Sequence, residues 1–400
     1  MIELQGKYNK AKVFTDNIEN SAVSQIIELC NQEFISGSNI RIMPDVHAGA
    51  GCTIGTTMTL KDKVVSNLVG VDIGCGVYTV KLGNIDIDFE KLDKIIRVKI
   101  PYGQDIHNKS QDKILHKNGI NLKELKCAKY INLDRAYKSI GTLGGGNHYI
   151  ELDKDSKGNI YLSIHTGSRY LGKQVAEHYQ NIGIAKLSDN TKQKENIIRQ
   201  LKAEGREKEI QKELKKIKPK TINKQLAYIE NDDFNNYIHD MKIVQKYAHI
   251  NRITIERNII SSLGLDNCNV DAFDTIHNYI DTDNMILRKG AISAQKEELL
   301  AIPMNMRDGV IIGKGKGNPD WNYSAPHGAG RLMSRRVAKE SVNIEEFKNT
   351  MKGVYSTCIN ENTIDESPMA YKQIQNIVDN IKDTVDVIEI VKPIYNFKAN

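Results

Sequence analysis

The sequence predicts an α+β fold: mixed sheets with flanking helices in one large domain over residues 1–400, carrying a basic helical insertion at about 186–224. Three observations lead there. Strand-like and helical runs alternate along the chain, with no internal repeat or low-complexity linker between them. Hydrophobic residues make up 40% of the 400, enough to bury a sizeable core. Segments bearing histidine, cysteine and carboxylate are scattered from Asp72 to Lys398 and must converge to do chemistry, which favours one interleaved domain over separate ones.

The elements follow in chain order. Ser21–Cys30 carries apolar residues at helical spacing, and Met43-Pro44-Asp45-Val46-His47 ends a strand. Gly70–Val80 reads as a strand with a glycine-rich turn, and Tyr161-Leu162-Ser163-Ile164 reads as another that delivers His165. Val310–Gly313 is strand-like, whereas Leu332–Glu340 and Tyr371–Asp379 read as helices. Each chemistry-bearing segment sits where a strand runs into a polar loop, the usual place for a site.

The net charge of +6 is concentrated in one stretch. Lys186 to Lys224 holds thirteen Lys or Arg against six Asp or Glu, an excess of seven that leaves the rest of the chain near neutral. Interrupted at Gly205 and Pro219, it reads either as a clamp for nucleic-acid phosphates, with salt-dependent binding, or as a solvated helical hairpin. No hydrophobic run approaches the ~20 residues needed to span a bilayer. The opening Met1-Ile2-Glu3-Leu4-Gln5 lacks a charged-then-apolar leader, so a cytoplasmic protein is expected. Six cysteines (Cys30, Cys52, Cys75, Cys127, Cys268, Cys358) form no C-x-x-C pair, so neither a zinc knuckle nor a disulfide framework is indicated.

His327-Gly328-Ala329-Gly330-Arg331 is the most informative segment. Glycines let backbone N–H groups close on an anion, and a helix starting at Leu332 would favour negative charge there. A neutral imidazole at that point can attack a phosphate, so His327 is the candidate nucleophile. A histidine beside glycines is also an ordinary turn residue, and the other segments decide between these readings. Asp72 and Cys75, in Val71-Asp72-Ile73-Gly74-Cys75-Gly76, stand three residues apart, a spacing at which both can face one ion. With His148, His165 and His277 they supply one carboxylate, one thiolate and three imidazoles, more than one ion with open positions needs. A pair of ions is the economical reading. Thiolate can bridge two cations and would be ionised by them, while sulfur and imidazole suit manganese, cobalt or zinc better than magnesium. Any one of these histidines alone fits a hydrogen-bonded core residue equally well.

Taken together, the V-D-I-G-C-G, G-N-H-Y-I-E, H-T-G-S-R, H-N, R-K-G-A and H-G-A-G-R segments, in this order from about Arg41 to Lys398, resemble the RtcB family of RNA-splicing ligases. The resemblance implies GTP and two manganese ions as cofactors, with Asp72, Cys75, His148, His165 and His277 as ligands and Cys75 as the bridge. It implies a nucleotide site drawn from Asn147, His148, Tyr149, Ile150, Glu151, His277, Asn278, Pro303, Met304, Asn305, Met306, His327, Gly328, Ala329, Gly330, Tyr371 and Lys398. Within it Glu151 and Lys398 would read guanine, Tyr371 would stack, and Asn147 and Asn278 would meet phosphate. His327 would attack the GTP α-phosphate, pass GMP to an RNA 3′-phosphate and so activate it for a 5′-hydroxyl; a 2′,3′-cyclic phosphate end would first be hydrolysed. Arg169 and Arg331 would position phosphates. Whether a protein partner activates the reaction stays open, as does the oligomeric state.

Two departures stand out. The family usually carries P-G-S-M before the nucleophile, where this chain has Pro303-Met304-Asn305-Met306, and Ala399 and Asn400 follow the terminal lysine. Two rival readings remain at this point. A dinuclear phosphodiesterase would use the same metal set without a covalent histidine, and a non-catalytic RNA-binding protein would use the basic arm alone.

Overall fold

The computed structural model describes residues 1–216, 221–266 and 271–399. Cys268, Pro219, Lys218 and Lys220 of the basic stretch, and Asn400, lie outside the described residues.

Two large sheets carry an α+β architecture. The first has six strands in the order Ile2–Gln5, Lys10–Val13, Ile40–His47, Ile54–Thr59, Ile286–Lys289 and Asn278–Asp281. Only Lys10–Val13 against Ile40–His47 is parallel. The second is antiparallel, with seven strands in the order Asp271–Ile276, Gly76–Gly83, Ile160–Thr166, Tyr149–Lys154, Val385–Lys398, Val310–Gly315 and Leu299–Pro303. Its two edge strands approach one another, since Ala301 N donates to Thr275 Oγ1 at 3.1 Å. The sheets meet at His277, the single residue between the strand ending at Ile276 and the one starting at Asn278.

Residue alternation along the strands sets the two faces of the seven-stranded sheet. Ile150 and Leu152, with Tyr395 and Phe397 opposite, bury themselves in an apolar cluster with the helix Phe89–Lys99. Tyr149, Glu151, Asn396 and Lys398 are thereby turned to the other face. Cross-strand register pairs Glu151 with Asn396 and Tyr149 with both Lys398 and His165, so residues hundreds of positions apart share one wall.

The helix Asp232–Leu263 spans both cores. Tyr237, Met241, Val244 and Tyr247 pack into the cluster beneath the six-stranded sheet, whereas Ile255, Ile259 and Ile260 belong to the cluster beneath the seven-stranded one. Between these halves sit two fully buried polar residues, Asn251 and Arg252.

Several boundaries differ from the sequence expectation. The helix Asn20–Cys30 and the strands Ile160–Thr166 and Val310–Gly315 contain the expected runs. Gly70–Val80 does not run extended throughout: Gly70 to Cys75 is a turn closed by Cys75 N donating to Asp72 O at 3.1 Å, and the strand begins at Gly76. Leu332–Glu340 becomes a short helix, Arg335–Ser341, and Tyr371–Asp379 starts later, at Ile374. One cause accounts for both delays. Leu332 N donates to Ala370 O and Lys372 N to Gly330 O, which holds both segments extended before either helix can begin.

The basic insertion forms the helices Thr191–Ala203 and Ile210–Lys216, separated at Gly205, whose φ of 68° only glycine adopts freely. Leu201 is its one fully buried hydrophobic side chain among the described residues. Among the described residues, no helix is long and apolar enough to cross a membrane.

Candidate active site and metal centre

Five of the residues singled out above converge at one end of the seven-stranded sheet. Two donor triads form there, Asp72–Cys75–His148 and Cys75–His165–His277, each with its ligand atoms within 4.8 Å of one another. Cys75 belongs to both. Its Sγ lies 3.5 Å from His148 Nε2 and 3.4 Å from His165 Nε2, and His148 Nε2 lies 3.1 Å from Asp72 Oδ2.

Local backbone geometry explains the convergence. His277 N donates to Cys75 O and Gly74 N to Asn278 O, tying the turn 72–75 to the joint between the sheets. Gly76 must be glycine here because a Cβ would fall 2.6 Å from Thr275 O. The imidazoles are oriented by their other nitrogens: His148 Nδ1 faces Leu143 O at 2.9 Å and His165 Nδ1 faces Asn147 O at 3.2 Å. Backbone carbonyls accept, so Nδ1 carries a proton in both rings and the Nε2 edge of each faces the cluster. Asp72 Oδ1 is held by Ser168 N at 2.8 Å and Ser168 Oγ at 3.1 Å.

Electrostatics suit cations. Burial, helped by neighbouring imidazoles, pushes His165 and His277 well below the usual histidine range, so both are neutral ligands. Burial would raise the Asp72 carboxyl, but the hydrogen bond and charge of His148, with Arg169, outweigh it and hold the group at about 2. Burial and the Asp72 charge raise the Cys75 thiol in the metal-free protein. A carboxylate, a thiol that cations would ionise and three imidazoles form a donor set that suits borderline-soft divalent cations.

His327 borders this cluster, its ring 4.8 Å from that of His277. It follows the strand Ser324–Pro326 and is gripped by fully buried Asp45: Oδ2 accepts from His327 Nδ1 at 2.6 Å and from His327 N at 3.1 Å. A carboxylate on Nδ1 places a proton there, which leaves Nε2 as the ring nitrogen turned away from Asp45. Gly330 permits this approach, since a Cβ on it would meet Asp45 O at 2.4 Å and its φ is +75°. The helix expected to start at Leu332 begins at Arg335 instead, so it does not follow directly on the His327–Arg331 loop. Arg331 turns into the wall, donating to Met333 O, Asp365 O and Tyr371 Oη.

A cavity of about 210 Å³ opens beside His327. Of the residues named for a nucleotide site, Asn147, Tyr149, Glu151, Pro303, Met304, Asn305, Met306, Gly328, Ala329, Gly330, Tyr371 and Lys398 line it. Ile150 and Asn278 do not. Ile150 faces the apolar core by strand alternation, and Asn278 is spent on Asp72 O and Gly290 N. His148 and His277 stand in the metal cluster instead of the cavity wall. Asn305 is turned inward on the loop, accepting from Arg307 N and Asp308 N and donating to Asp308 Oδ2, so its amide is a turn cap. Met304 and Met306 are buried in separate apolar clusters.

Sequence reasoning missed Asp45, Glu366 and Asn396. Asp45 appeared only as part of a strand end. Glu366 is a buried carboxylate that receives Lys398 Nζ at 3.0 Å, Arg335 Nη1 at 2.6 Å and Tyr371 Oη at 2.6 Å. Although burial opposes it, Lys398 and Arg335 hold Glu366 ionised at about 2. Asn396 donates to Glu151 Oε2 at 2.5 Å. Burial raises Glu151 to about 7 and, with the Glu151 charge, pushes its neighbour Asp153 well above the usual carboxyl range. The only signal available for Glu366 was its nearness in sequence to Tyr371. Arg169, at a strained φ of 57°, reaches Thr142 Oγ1 and Gly103 O and lies 3.5 Å from His148 Nδ1.

Residues 25–399 match the family model described as tRNA-splicing ligase RtcB. The chain is 27% identical to the RNA-splicing ligase RtcB of Escherichia coli (strain K12), covering 96% of this chain and 95% of that protein. It is 26% identical to the tRNA-splicing ligase RtcB of Archaeoglobus fulgidus (90% and 87% covered) and 24% identical to that of Aeropyrum pernix (84% and 82%). With a family model spanning nearly its whole length, the chain belongs to the RtcB family.

Proposed function

We propose that this chain is an RNA ligase that joins an RNA 3′-phosphate or 2′,3′-cyclic phosphate end to a 5′-hydroxyl end, using GTP and two manganese ions. One observation carries the reading: an Asp-held imidazole, His327, stands between a cavity of about 210 Å³ that holds Glu151 and Lys398 and a pair of metal-donor triads. Asp72, Cys75 and His148 would hold one ion and Cys75, His165 and His277 the other. Bound there, divalent metal supplies charge neutralisation at the reacting phosphates.

The chain's own residues account for the rest. Asp45 fixes the His327 tautomer and stabilises the positive imidazole that forms as Nε2 bonds to the GTP α-phosphorus and pyrophosphate departs. In the cavity, Glu151 offers acceptors to the N1–H and exocyclic amine of guanine, and Lys398 donates to O6. Asn396 and Glu366 orient those two readers. Adenine would leave buried polar groups unpaired at on the order of 1–3 kcal/mol each. Transfer of GMP from His327 to an RNA 3′-phosphate then creates a leaving group for attack by the 5′-hydroxyl. A dinuclear hydrolase would need neither the Asp45–His327 pair nor the buried base readers, and a passive RNA binder would need no metal triads.

The test is sealing of a 3′-phosphate RNA to a 5′-hydroxyl RNA with GTP and manganese. Wild type should seal, and Cys75→Ala should lose sealing and bound metal together, because both triads share that sulfur. Retention of both ions and of sealing by Cys75→Ala would overturn the dinuclear site.

A further inference from the structure

The five residues of the two triads come from four separate stretches of chain, and two adjacent side chains on one helix hold segments that support all four. Asn251 and Arg252 lie mid-way along Asp232–Leu263, at the seam between the two cores, and are fully buried. A buried amide and a buried guanidinium must each be satisfied by built partners. Their partners are the ligand loops.

Asn251 serves the loop of His148 and the backbone that caps Asp72. Its Oδ1 accepts from Gly141 N at 2.7 Å and Thr142 N at 3.1 Å, and its Nδ2 donates to Thr142 O at 3.0 Å and Gly167 O at 3.1 Å. Thr142 precedes Leu143, whose carbonyl orients His148, and Gly167 precedes Ser168, whose N and Oγ hold Asp72 Oδ1. Arg252 serves the other triad. Its Nη1 donates to Gly74 O at 2.8 Å, beside Cys75, and to Thr166 O at 2.7 Å, beside His165. Its Nε and Nη2 grip Asp274 at 2.8 and 2.7 Å, on the strand that delivers His277.

We infer that Asn251 and Arg252 are positioning residues for the two halves of the metal centre: Asn251 for the Asp72–Cys75–His148 triad, Arg252 for the Cys75–His165–His277 triad. The bidentate Arg252–Asp274 pair needs the planar fork of arginine, which lysine cannot reproduce. This inference rests on the metal reading proposed above, and deepens it by dividing the supporting shell between the two ions.

The experiment is titration of purified metal-free chain with cobalt(II), reading bound-ion stoichiometry by native mass spectrometry and the cobalt–thiolate absorption band, with manganese affinity measured alongside. Wild type should bind two ions. Arg252→Lys and Asn251→Ala should each keep one ion near wild-type affinity and bind the other about 10- to 100-fold more weakly. Adding Arg252→Lys to His277→Ala should change nothing further, whereas adding Asn251→Ala to His277→Ala should cost the remaining ion. Tyr179→Phe, which removes a buried hydrogen bond to Asp240 from the same helix pair but away from the cluster, controls for stability loss and should bind two ions. Variants that fold and bind both ions as tightly as wild type would overturn the inference alone. So would equal loss of both ions from each folded variant, or loss of an ion by Tyr179→Phe. A wild-type chain that binds no ion would overturn the metal reading itself, and this inference with it.

Discussion

At His327 a single carboxylate decides which nitrogen reacts. Asp45 Oδ2 takes both the ring Nδ1–H and the backbone N–H of His327, so replacing the charge while keeping the shape isolates its electrostatic role. Asp45→Asn should slow formation of the protein–GMP adduct by about 10²- to 10⁴-fold and leave GTP binding nearly unchanged; single-turnover labelling measures this. The pair was not legible in the sequence, because its members are 282 positions apart and nothing in the Met43–His47 strand marks Asp45 as a partner. His327 itself was legible, from the glycines around it. Gly330 has a role that the sequence did not signal, since it makes room for the Asp45 backbone. The buried imidazoles carry a pH signature as well. His165 and His277 are held neutral by burial, with folded-state pKa values well below 6.5, so the unfolded chain binds more protons as acid is added. Stability they contribute is therefore present above about pH 6.5 and lost as the pH falls below it. The urea midpoint of the metal-free protein should drop from about pH 7.5 to about pH 5.5, and the drop should be shallower in a His165→Gln, His277→Gln variant; an identical slope would contradict the assignment.

Among the elements, the strands were easier to read than the helices. Tyr161–Ile164 and Val310–Gly313 announce themselves by residue type, and their neighbours in the sheet only extend them. The helices at Arg335 and Ile374 start late because Gly330–Leu332 pairs with Ala370–Lys372, a tertiary contact that local periodicity does not contain. Ile150 shows a related limit: the motif G-N-H-Y-I-E places it beside the pocket residues, but strand alternation sends it into the core. The basic insertion is legible as helices broken at Gly205, and its exposed cations point outward as either reading of it requires. We propose that it contributes to RNA binding. Replacing Lys208, Lys212, Lys215 and Lys216 with glutamine should weaken RNA binding and flatten its dependence on salt, without changing adduct formation. Fluorescence anisotropy across a salt series provides the check; an unchanged slope would make the stretch a solvated hairpin.

Over the whole molecule, function depends on the joint between two sheets. His277 occupies the one residue between them, the helix Asp232–Leu263 threads both cores, and the cavity wall is completed by Lys398 near the end of the chain. The α+β class followed from alternating elements, and the convergence of distant segments followed from the chemistry they share. Strand order did not, because antiparallel pairings such as Val385–Lys398 with Tyr149–Lys154 join segments with no local signal for one another. In the function proposed above, these elements serve one covalent event at His327 Nε2. Incubating the protein with manganese and α-labelled GTP or, in parallel, α-labelled ATP, and mapping any acid-labile adduct, tests that event. A GMP adduct is expected on His327, absent from His327→Ala, with a yield from ATP lower by roughly 10⁴-fold. Equal labelling of wild type and His327→Ala would overturn the proposed nucleophile.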